Sequence, residues 1–245
     1  MKWIYLSPHL DDAVYSCGGL IWQQTQAGEA VEIWTVCAGD PPPGPLSPFA
    51  QSLHTRWGTE RDAVRVRRAE DERAASRVGA VIRHFSLPDC IYRRGPAGEA
   101  LYVSDEAIFG AVHPAEQFVV DWLSEMLGQQ ASAETRIVCP LTLGGHVDHQ
   151  LTRRAAEQTG RVDAYYPDFP YAARWELNAE ARVPAGWEKG VFPLSEEALC
   201  AWMEGAALYA SQFSSFWLDG TTLEAEYRAY AQLHGGARLW CSPRI

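Results

Sequence analysis

Two short segments, far apart in the chain, carry the residue types that bind a divalent metal ion. The first is SPHLDD at positions 7–12, and the second is HVDH at positions 146–149. Imidazole and carboxylate groups are usual ligands of a catalytic zinc ion, which keeps one position free for water. In the first segment His9 and Asp12 can both turn to one metal, which leaves Asp11 free to take a proton from the bound water. These residue types favour metal-assisted hydrolysis.

The second segment has two histidines whose spacing allows two different roles. His146 and His149 are spaced i, i+3, which places two side chains on neighbouring positions of a helical turn. Only one of them needs to bind the metal. The other could polarise a carbonyl or protonate a leaving amine, with Asp148 available to orient it. The spacing alone does not decide between the two histidines.

Each segment also has a purely structural interpretation. The Asp pair after His9 could form a turn and a helix N-cap, because Asp is favoured there, and a lone His-x-x-His is often a solvated helix face. Against this, each segment follows a predicted strand and lies near a Gly-Gly pair, Gly18-Gly19 or Gly144-Gly145. Glycines let the backbone approach a metal or ligand closely. The metal site is therefore the favoured interpretation.

The elements around these segments alternate between strand and helix patterns. Strands are predicted at 3–6, 31–37, 81–85 and 136–140, and helices at 18–27, 59–78, 195–209 and 223–233. This alternation predicts a single α/β domain over residues 1–245, with a Rossmann-like, mostly parallel sheet and helices on both faces. The region of about 163–193 reads as irregular and on the substrate side. Within it, 183–193 is either a peripheral hairpin or a loop over the site.

Further polar residues follow the predicted strands. Asp40 comes after the second strand and Asp89 after the third. Because open α/β sheets bind ligands beyond the carboxyl ends of their strands, we expect these residues at the same rim as His9 and His146. Arg67 and Glu70 share one face of the long helix. The favoured interpretation is an internal ion pair; the alternative is that Arg67 contacts substrate while Glu70 orients it.

Composition excludes several classes of function. The formal net charge of −10 argues against nucleic-acid binding, and weakly against binding to an anionic membrane surface. No apolar run approaches the roughly 20 residues of a membrane span, and the first apolar run is too short for a signal-peptide core. We therefore expect a cytoplasmic protein. The sequence does not decide whether it forms a homo-oligomer. The six cysteines contain no C-x-x-C pair, so a thiolate zinc site is not expected.

Taken together, these motifs resemble the PIG-L/LmbE-like de-N-acetylases, whose signature is a His-Pro-Asp-Asp-Glu stretch after the first strand and a late His-x-Asp-His. The matching positions extend over most of the chain, in the same order and spacing: 8–13, 17–19, 38–40, 67–70, 74–79, 89, 146–149 and 209–212. The resemblance implies a Rossmann-like sheet and hydrolysis of the N-acetyl group of an amino-sugar conjugate, a small-molecule glycoside.

The resemblance also implies roles for individual residues. It assigns one Zn²⁺ to His9, Asp12 and His149, and the role of general base to Asp11. His146 is then the acid or the oxyanion stabiliser, supported by Asp148. Substrate contacts are expected from Arg67, Asp89 and Asp40. Fe²⁺ and Co²⁺ remain alternatives, because sites of His and carboxylate ligands also accept them.

The chain departs from the family pattern at three positions. Leu10 replaces the usual Pro and Ala13 the usual Glu, but neither is a predicted ligand or proton carrier. Some members have a tyrosine that helps to hold the oxyanion where this chain has Gly144, which leaves the oxyanion partner open. Two alternative functions remain: a zinc amidase acting on a larger acyl or thiol conjugate, and a non-catalytic sugar- or nucleotide-binding module. Against the binding module, the chain has no G-x-G-x-x-G run after the first strand.

Overall fold

A computed structural model describes residues 1–58, 62–130, 132–174 and 179–243. Its strands are β1 Lys2–Ser7, β2 Ala30–Thr35, β3 Val81–His84, β4 Thr135–Pro140, β5 Val162–Tyr166, β6 Glu188–Phe192 and β7 Ala237–Cys241. They form one sheet in the order β3-β2-β1-β4-β5-β7-β6. The first five strands in this order pair in parallel, and β7 is antiparallel to both β5 and β6. The expected mostly parallel sheet is confirmed.

Helices cover the sheet. They are α1 Asp12–Gln26, α2 Pro48–Trp57, α3 Ala63–Arg77, α4 Asp105–Ile108, α5 Gln117–Gln130, α6 Val147–Gln158, α7 Tyr171–Arg174, α8 Glu196–Ala207, α9 Ala210–Phe216 and α10 Gly220–His234. In β1, Ile4 and Leu6 belong to a core cluster with residues of α5 and α6, whereas Tyr5 belongs to a second cluster with residues of α1 and α8. Since side chains alternate along a strand, the helices lie on both faces. None of the described helices is long and apolar enough to cross a membrane.

The strand order explains where a site can form. From β1 the chain continues to β2 on one side, and β4 pairs with β1 on the other side. The crevice between β1 and β4 is therefore the switch point of this sheet, where open α/β folds bind their ligands. The two metal-type segments follow these two strands directly, so the topology brings them together.

Some sequence-based boundaries need correction. The largest shift is in α1, which begins at Asp12 rather than at the predicted position 18. The long helix begins at Ala63, and positions 59–61 of the predicted helix lie outside the described residues; it ends before Gly79, which has a φ of 76°. The segment 163–193 is less irregular than predicted. It contains β5, which is buried throughout, and the half-exposed edge strand β6. A strand buried on both faces lacks the alternating pattern that marks strands in a sequence.

The glycine pair after the first motif has a packing role. A Cβ on Gly18 would lie 2.7 Å from Cδ1 of Trp202, and a Cβ on Gly19 would lie 2.9 Å from Cδ1 of Leu194. These glycines let α1 approach α8, so the expectation that they approach a metal or ligand is wrong. Gly144 and Gly145 instead form the turn between β4 and α6, with φ values of 86° and 78°.

Candidate active site

The first motif forms a tight turn between β1 and α1. Ser7 Oγ donates to the carbonyl of His9 at 2.6 Å and accepts from the backbone N–H of Ala13 at 3.0 Å. Asp11 is the N-cap residue of α1, but its side chain makes no capping hydrogen bond. The turn and the N-cap position of the structural interpretation are therefore present, with Asp12 Oδ2 accepting from the backbone N–H of His9 at 2.7 Å. The Asp11 carboxylate lines the cleft.

Three side-chain atoms converge at the β1–β4 crevice. Asp12 Oδ2 lies 3.3 Å from His9 Nδ1 and 3.2 Å from His149 Nε2. Ligands bound tetrahedrally to zinc at about 2.0–2.1 Å lie roughly 3.3 Å from one another. Both separations match this value, and the three residues have the chemistry of a divalent metal site. Among the described residues, the groups whose ligand atoms all lie within 4.8 Å of one another are His9 with His146 and His149, Cys90 with His146 and Asp148, and His9 with Asp89 and Asp148. The choice of Asp12 as a ligand rests on its two distances to His9 and His149.

A carboxylate holds the outer nitrogen of each histidine in this triad. His149 Nδ1 lies 2.6 Å from Asp168 Oδ1, and His9 Nε2 lies 3.0 Å from Asp148 Oδ2. Such partners fix the tautomer and the ring orientation of metal-binding histidines. Asp168 was not anticipated from the sequence. It follows β5 in the region that read as irregular, and only the fold brings it to His149.

The predicted contact between the carboxylate of Asp148 and His146 is not what the structure shows. The carboxylate contacts His9 and the backbone N–H of Cys90, at 3.0 Å each. The backbone N–H of Asp148 donates to His146 Nδ1 at 3.2 Å. The reason is local, because His146 is the N-cap of α6 and its ring folds back onto the first helical turn. Neutral His146 therefore carries its proton on Nε2.

The electrostatics separate the two neighbouring aspartates. Burial and the charge of Asp12 raise the pKa of Asp11 to about 7, although Arg67 and His9 oppose the rise. Burial also acts to raise the pKa of Asp12, but the charge and hydrogen bonds of His149, together with His9, hold it well below its usual range. Two carboxylates whose pKa values are moved apart are typical of acid–base sites.

The pKa values of the three histidines are also moved apart. Burial lowers the pKa of His9, but its bonds to Asp12 and Asp148 outweigh burial and raise the pKa well above 6.5. The pKa of His149 is raised to about 9, against burial, by the charge of Asp12 and its hydrogen bonds to Asp12 and Asp168. Burial and the charge of His9 lower the pKa of His146 well below 6.5. Positive charge is therefore favoured at the triad, and His146 is neutral.

Arg67 and Asp89 lie in the cleft, as the sequence predicted. Arg67 is buried, 3.6 Å from Asp11 Oδ2 and 3.9 Å from Asp89 Oδ2, with its guanidinium 5.1 Å from the ring of Trp57. Glu70 accepts instead from the N–H and hydroxyl of Ser211, at 2.9 and 2.6 Å. The predicted internal ion pair was wrong, since no salt bridge joins Arg67 to Glu70, two residues that the structure describes.

Asp40 does not join this group. Its side chain is 71% exposed and forms an ion pair with Arg68 at 2.9 Å, and it is not among the described residues that line the cleft. The carboxyl end of β2 continues into a bridge between Gly39 and Pro88. The chain therefore extends past the rim before Asp40, and position after a strand was not enough to place this residue.

The cleft in front of the triad has a volume of about 330 Å³. Its polar lining includes His9 and Asp12 of the triad together with Asp11, Arg67, Asp89 and His146, and further groups come from Arg56, Asp105, Gln212 and Ser215. His149 is buried and is not among the described residues that line the cleft. Aromatic side chains from four separate parts of the chain form much of the remaining wall: Trp57, Phe109, Tyr171 and Phe216. Sequence reasoning missed these four, because scattered aromatic residues do not indicate which of them face a cleft.

Comparison with known proteins identifies the family. The family model described as PIG-L, GlcNAc-PI de-N-acetylase, matches residues 4–159, which include all three proposed metal ligands. The chain belongs to this family. A 2'-N-acetylparomamine deacetylase from Niallia circulans is 25% identical to this PIG-L protein over 205 residues, which cover 76% of this chain and 72% of the relative.

Solved structures of this family are similar over nearly the whole chain. A deacetylase from the biosynthesis pathway of teicoplanin, crystallised as a bog complex, is 30% identical, with a TM-score of 0.83 and coverage of 98% of this chain and 97% of the other. The zinc-inhibited form of teicoplanin deacetylase Orf2 is also 30% identical, with a TM-score of 0.81 and the same coverage. This PIG-L protein is a hydrolytic deacetylase.

Proposed function

We propose that this PIG-L protein hydrolyses the N-acetyl group of an amino-sugar conjugate, using water activated by one divalent metal ion held by His9, Asp12 and His149. The observation that carries the proposal is the position of Asp12 Oδ2, 3.3 Å from His9 Nδ1 and 3.2 Å from His149 Nε2. Zinc is the metal we put first, because His₂-carboxylate sets with an open position are common in zinc hydrolases.

The metal, when bound, would lower the pKa of a water molecule and polarise the amide carbonyl. Asp11 takes a proton from that water as its oxygen bonds to the carbonyl carbon, a role suited to a carboxylate with a pKa of about 7. The carbonyl oxygen gains negative charge, and the Nε2–H of neutral His146 donates a hydrogen bond to it. The C–N bond then breaks as the oxyanion re-forms the carbonyl, the proton held by Asp11 passes to the leaving nitrogen, and acetic acid and a free amine result; at neutral pH the acid loses its remaining proton to become acetate.

The rest of the cleft fits a sugar ring better than a long apolar chain. Arg67 and Asp89 supply hydrogen-bonding groups beside the triad, which suit hydroxyls. The aromatic wall formed by Trp57, Phe109, Tyr171 and Phe216 offers flat apolar surfaces to the C–H face of a ring. The Niallia relative, which is named for the deacetylation of 2'-N-acetylparomamine, supports the same substrate class. A larger acyl or thiol conjugate is the competing substrate class.

Acetate release tests the reaction and the base together. The full chain, loaded in turn with zinc, cobalt or ferrous iron, is assayed on N-acetylglucosaminides and N-acetylated aminoglycosides, with longer N-acyl analogues as competitors. Zinc is titrated over a range of concentrations, because the teicoplanin relative has a zinc-inhibited form. We expect Asp11→Asn to lower kcat by about 10²–10⁴-fold while the protein still binds metal.

Asp121→Asn, which changes an exposed carboxylate on α5 outside the cleft, is the matched control and should retain full activity. An unchanged rate in Asp11→Asn would remove Asp11 as the base. Metal analysis of protein purified without added metal tests the site itself. Near-zero stoichiometry without recovery on adding any of the three metals would refute the metal centre.

A further inference from the structure

Behind the metal centre, four buried side chains form a row of polar contacts that ends on His9. In order towards the metal they are Tyr102, Glu116, Arg93 and Asp148, with exposures of 2%, 1%, 6% and 0%. The first three come from the segment between β3 and α5, and Asp148 lies on the first turn of α6. None of the first three lines the cleft, and their contact with the triad runs through Asp148.

Arg93 is fixed at the centre of this row. Its Nε and Nη2 both donate to the carboxylate of Glu116, the Nη2 bond measuring 3.3 Å, and Nη1 donates to the carbonyl of Pro88 at 3.1 Å. Glu116 in turn accepts from the hydroxyl of Tyr102. A guanidinium bound at both edges of its fork has little freedom to rotate. Its position is therefore set by the fold rather than by the metal site.

Asp148 transmits that position to His9. Arg93 Nη1 lies 2.5 Å from Asp148 Oδ1, while Oδ2 of the same carboxylate contacts His9 Nε2 and the N–H of Cys90 at 3.0 Å each. Oδ1 is paired with Arg93 by charge, without the geometry of a hydrogen bond. The carboxylate therefore cannot turn away without losing this ion pair and the contacts of Oδ2. His9 must then keep Nε2 towards Asp148, which leaves Nδ1 facing Asp12 Oδ2 at 3.3 Å.

We propose that Arg93 is a positioning residue for the metal centre: held by Glu116, it fixes the Asp148 carboxylate, and Asp148 fixes the His9 ring with Nδ1 available to the metal. The positive charge of Arg93 balances only one of the two negative charges on Glu116 and Asp148. One negative charge thus remains on the side that faces His9. The inference rests on the proposed metal site and adds Arg93 and Glu116 to the groups that set its affinity.

The test measures the zinc dissociation constant of the full chain by competition with a chromophoric chelator, starting from metal-free protein. Arg93→Lys keeps the charge but loses the fork, and the double variant Arg93→Met/Glu116→Gln removes the pair without leaving either partner charged and alone. We expect both to bind zinc about 10–100-fold more weakly, the usual effect of losing groups behind a metal ligand.

The control is Arg153→Met on α6, the helix that carries Asp148 and His149. Arg153 is also largely covered and bonds to Glu157 and to the carbonyl of Leu141, but it makes no contact with the triad. It should lose thermal stability and keep its zinc affinity.

Each outcome separates the two proposals. A parent protein that binds no zinc, cobalt or ferrous iron would refute the metal site itself. If the parent binds zinc and the Arg93 variants bind it equally well but are less stable, Arg93 is only a structural residue. The ¹⁵N chemical shifts of His9 in metal-free protein give a second readout. At a pH above the raised pKa of His9, where the ring is neutral, we expect Nε2 to be the protonated nitrogen in the parent and this preference to weaken in Arg93→Lys; shifts identical to those of the parent would overturn the inference.

Discussion

At the scale of single residues, two adjacent carboxylates have opposite tasks because their neighbours differ. Asp12 points at two imidazoles, His9 and His149, which hold its pKa well below the usual range, as the proposed role of metal ligand requires. Asp11 is buried beside the charge of Asp12, and the single guanidinium of Arg67, 3.6 Å away, does not compensate for this. The same type of side chain therefore suits the proposed ligand at one position and the proposed base at the next.

The raised pKa of Asp11 predicts a dependence of stability on pH. In the unfolded chain Asp11 loses its proton near its ordinary pKa of 3.8, whereas in the metal-free fold it does so near 7. The stability that protonated Asp11 contributes is fully present below about pH 4 and is lost as the pH rises through about 7. We expect Asp11→Asn to be more stable than the parent at pH 8, by on the order of 1 kcal/mol or more.

Urea unfolding of metal-free parent and variant at pH 5 and at pH 8 measures this difference. The advantage of Asp11→Asn should be smaller at pH 5, where the parent keeps most of its Asp11 protonated. The exposed substitution Asp121→Asn serves as the control. An advantage of equal size at both pH values would contradict the assignment of a raised pKa to Asp11.

At the scale of elements, α1 has to be placed accurately, because it carries Asp12 at its first residue and begins directly after Asp11. Its position depends on close packing against α8. The ring of Trp202 lies against Gly18, and its Nε1–H donates to the carbonyls of Val14 and Tyr15 at 2.8 and 3.0 Å. A helix held by both packing and hydrogen bonds keeps its first turn fixed relative to the sheet.

We expect Gly18→Ala to lower the free energy of unfolding. The new methyl group would lie 2.7 Å from Trp202 Cδ1, and the indole cannot move without breaking its two hydrogen bonds. Overpacking of this kind costs about 1–3 kcal/mol, which exceeds the gain of about 0.5–1 kcal/mol from replacing a glycine within a helix. Urea unfolding at one pH measures the net loss.

Gly128→Ala is the matched control, since Gly128 also lies within a helix but a Cβ there would meet nothing within 4 Å. That variant should gain about 0.5–1 kcal/mol of stability. If both variants are stabilised alike, the close approach of α1 and α8 is not needed.

At the scale of the whole molecule, the proposed metal ligands come from both sides of the sheet's switch point. His9 and Asp12 follow β1, and His149 lies on the helix that follows β4. The outer carboxylates add further connections, because Asp168 follows β5 and Asp148 links α6 to the segment that carries Arg93. A metal ion bound here would connect segments separated by more than half of the chain.

Binding that is confined to the folded state must stabilise it. At a free zinc concentration 100 times the dissociation constant, the gain is about 2.7 kcal/mol, which corresponds to roughly 5–10 °C in melting temperature for a chain of this size. Thermal unfolding with zinc and with a chelator measures the difference. His149→Gln should lose most of this gain, and a full shift in that variant would exclude His149 as a ligand.

Part of this site could be predicted from the sequence, because most of its reactive side chains lie in two short contiguous segments. His9, Asp11 and Asp12 are consecutive or nearly so, His146 to His149 span one helical turn, and both segments follow apolar runs that predict strands. The parallel sheet follows from the alternation of strands and helices, and the sheet's switch point follows from strand order. Local patterns therefore sufficed for the fold class and for the residues that form the triad.

What only the tertiary structure decided depends on contacts between residues far apart in sequence. Asp168 and Arg93 have no motif that marks them, Asp148 turns to His9 rather than to its neighbour His146, and Asp40 leaves the rim although it follows a strand. The reason is physical: covalent spacing limits which groups can be near, but a buried carboxylate takes the partner that satisfies its charge. That partner is known only when every packed element is in place.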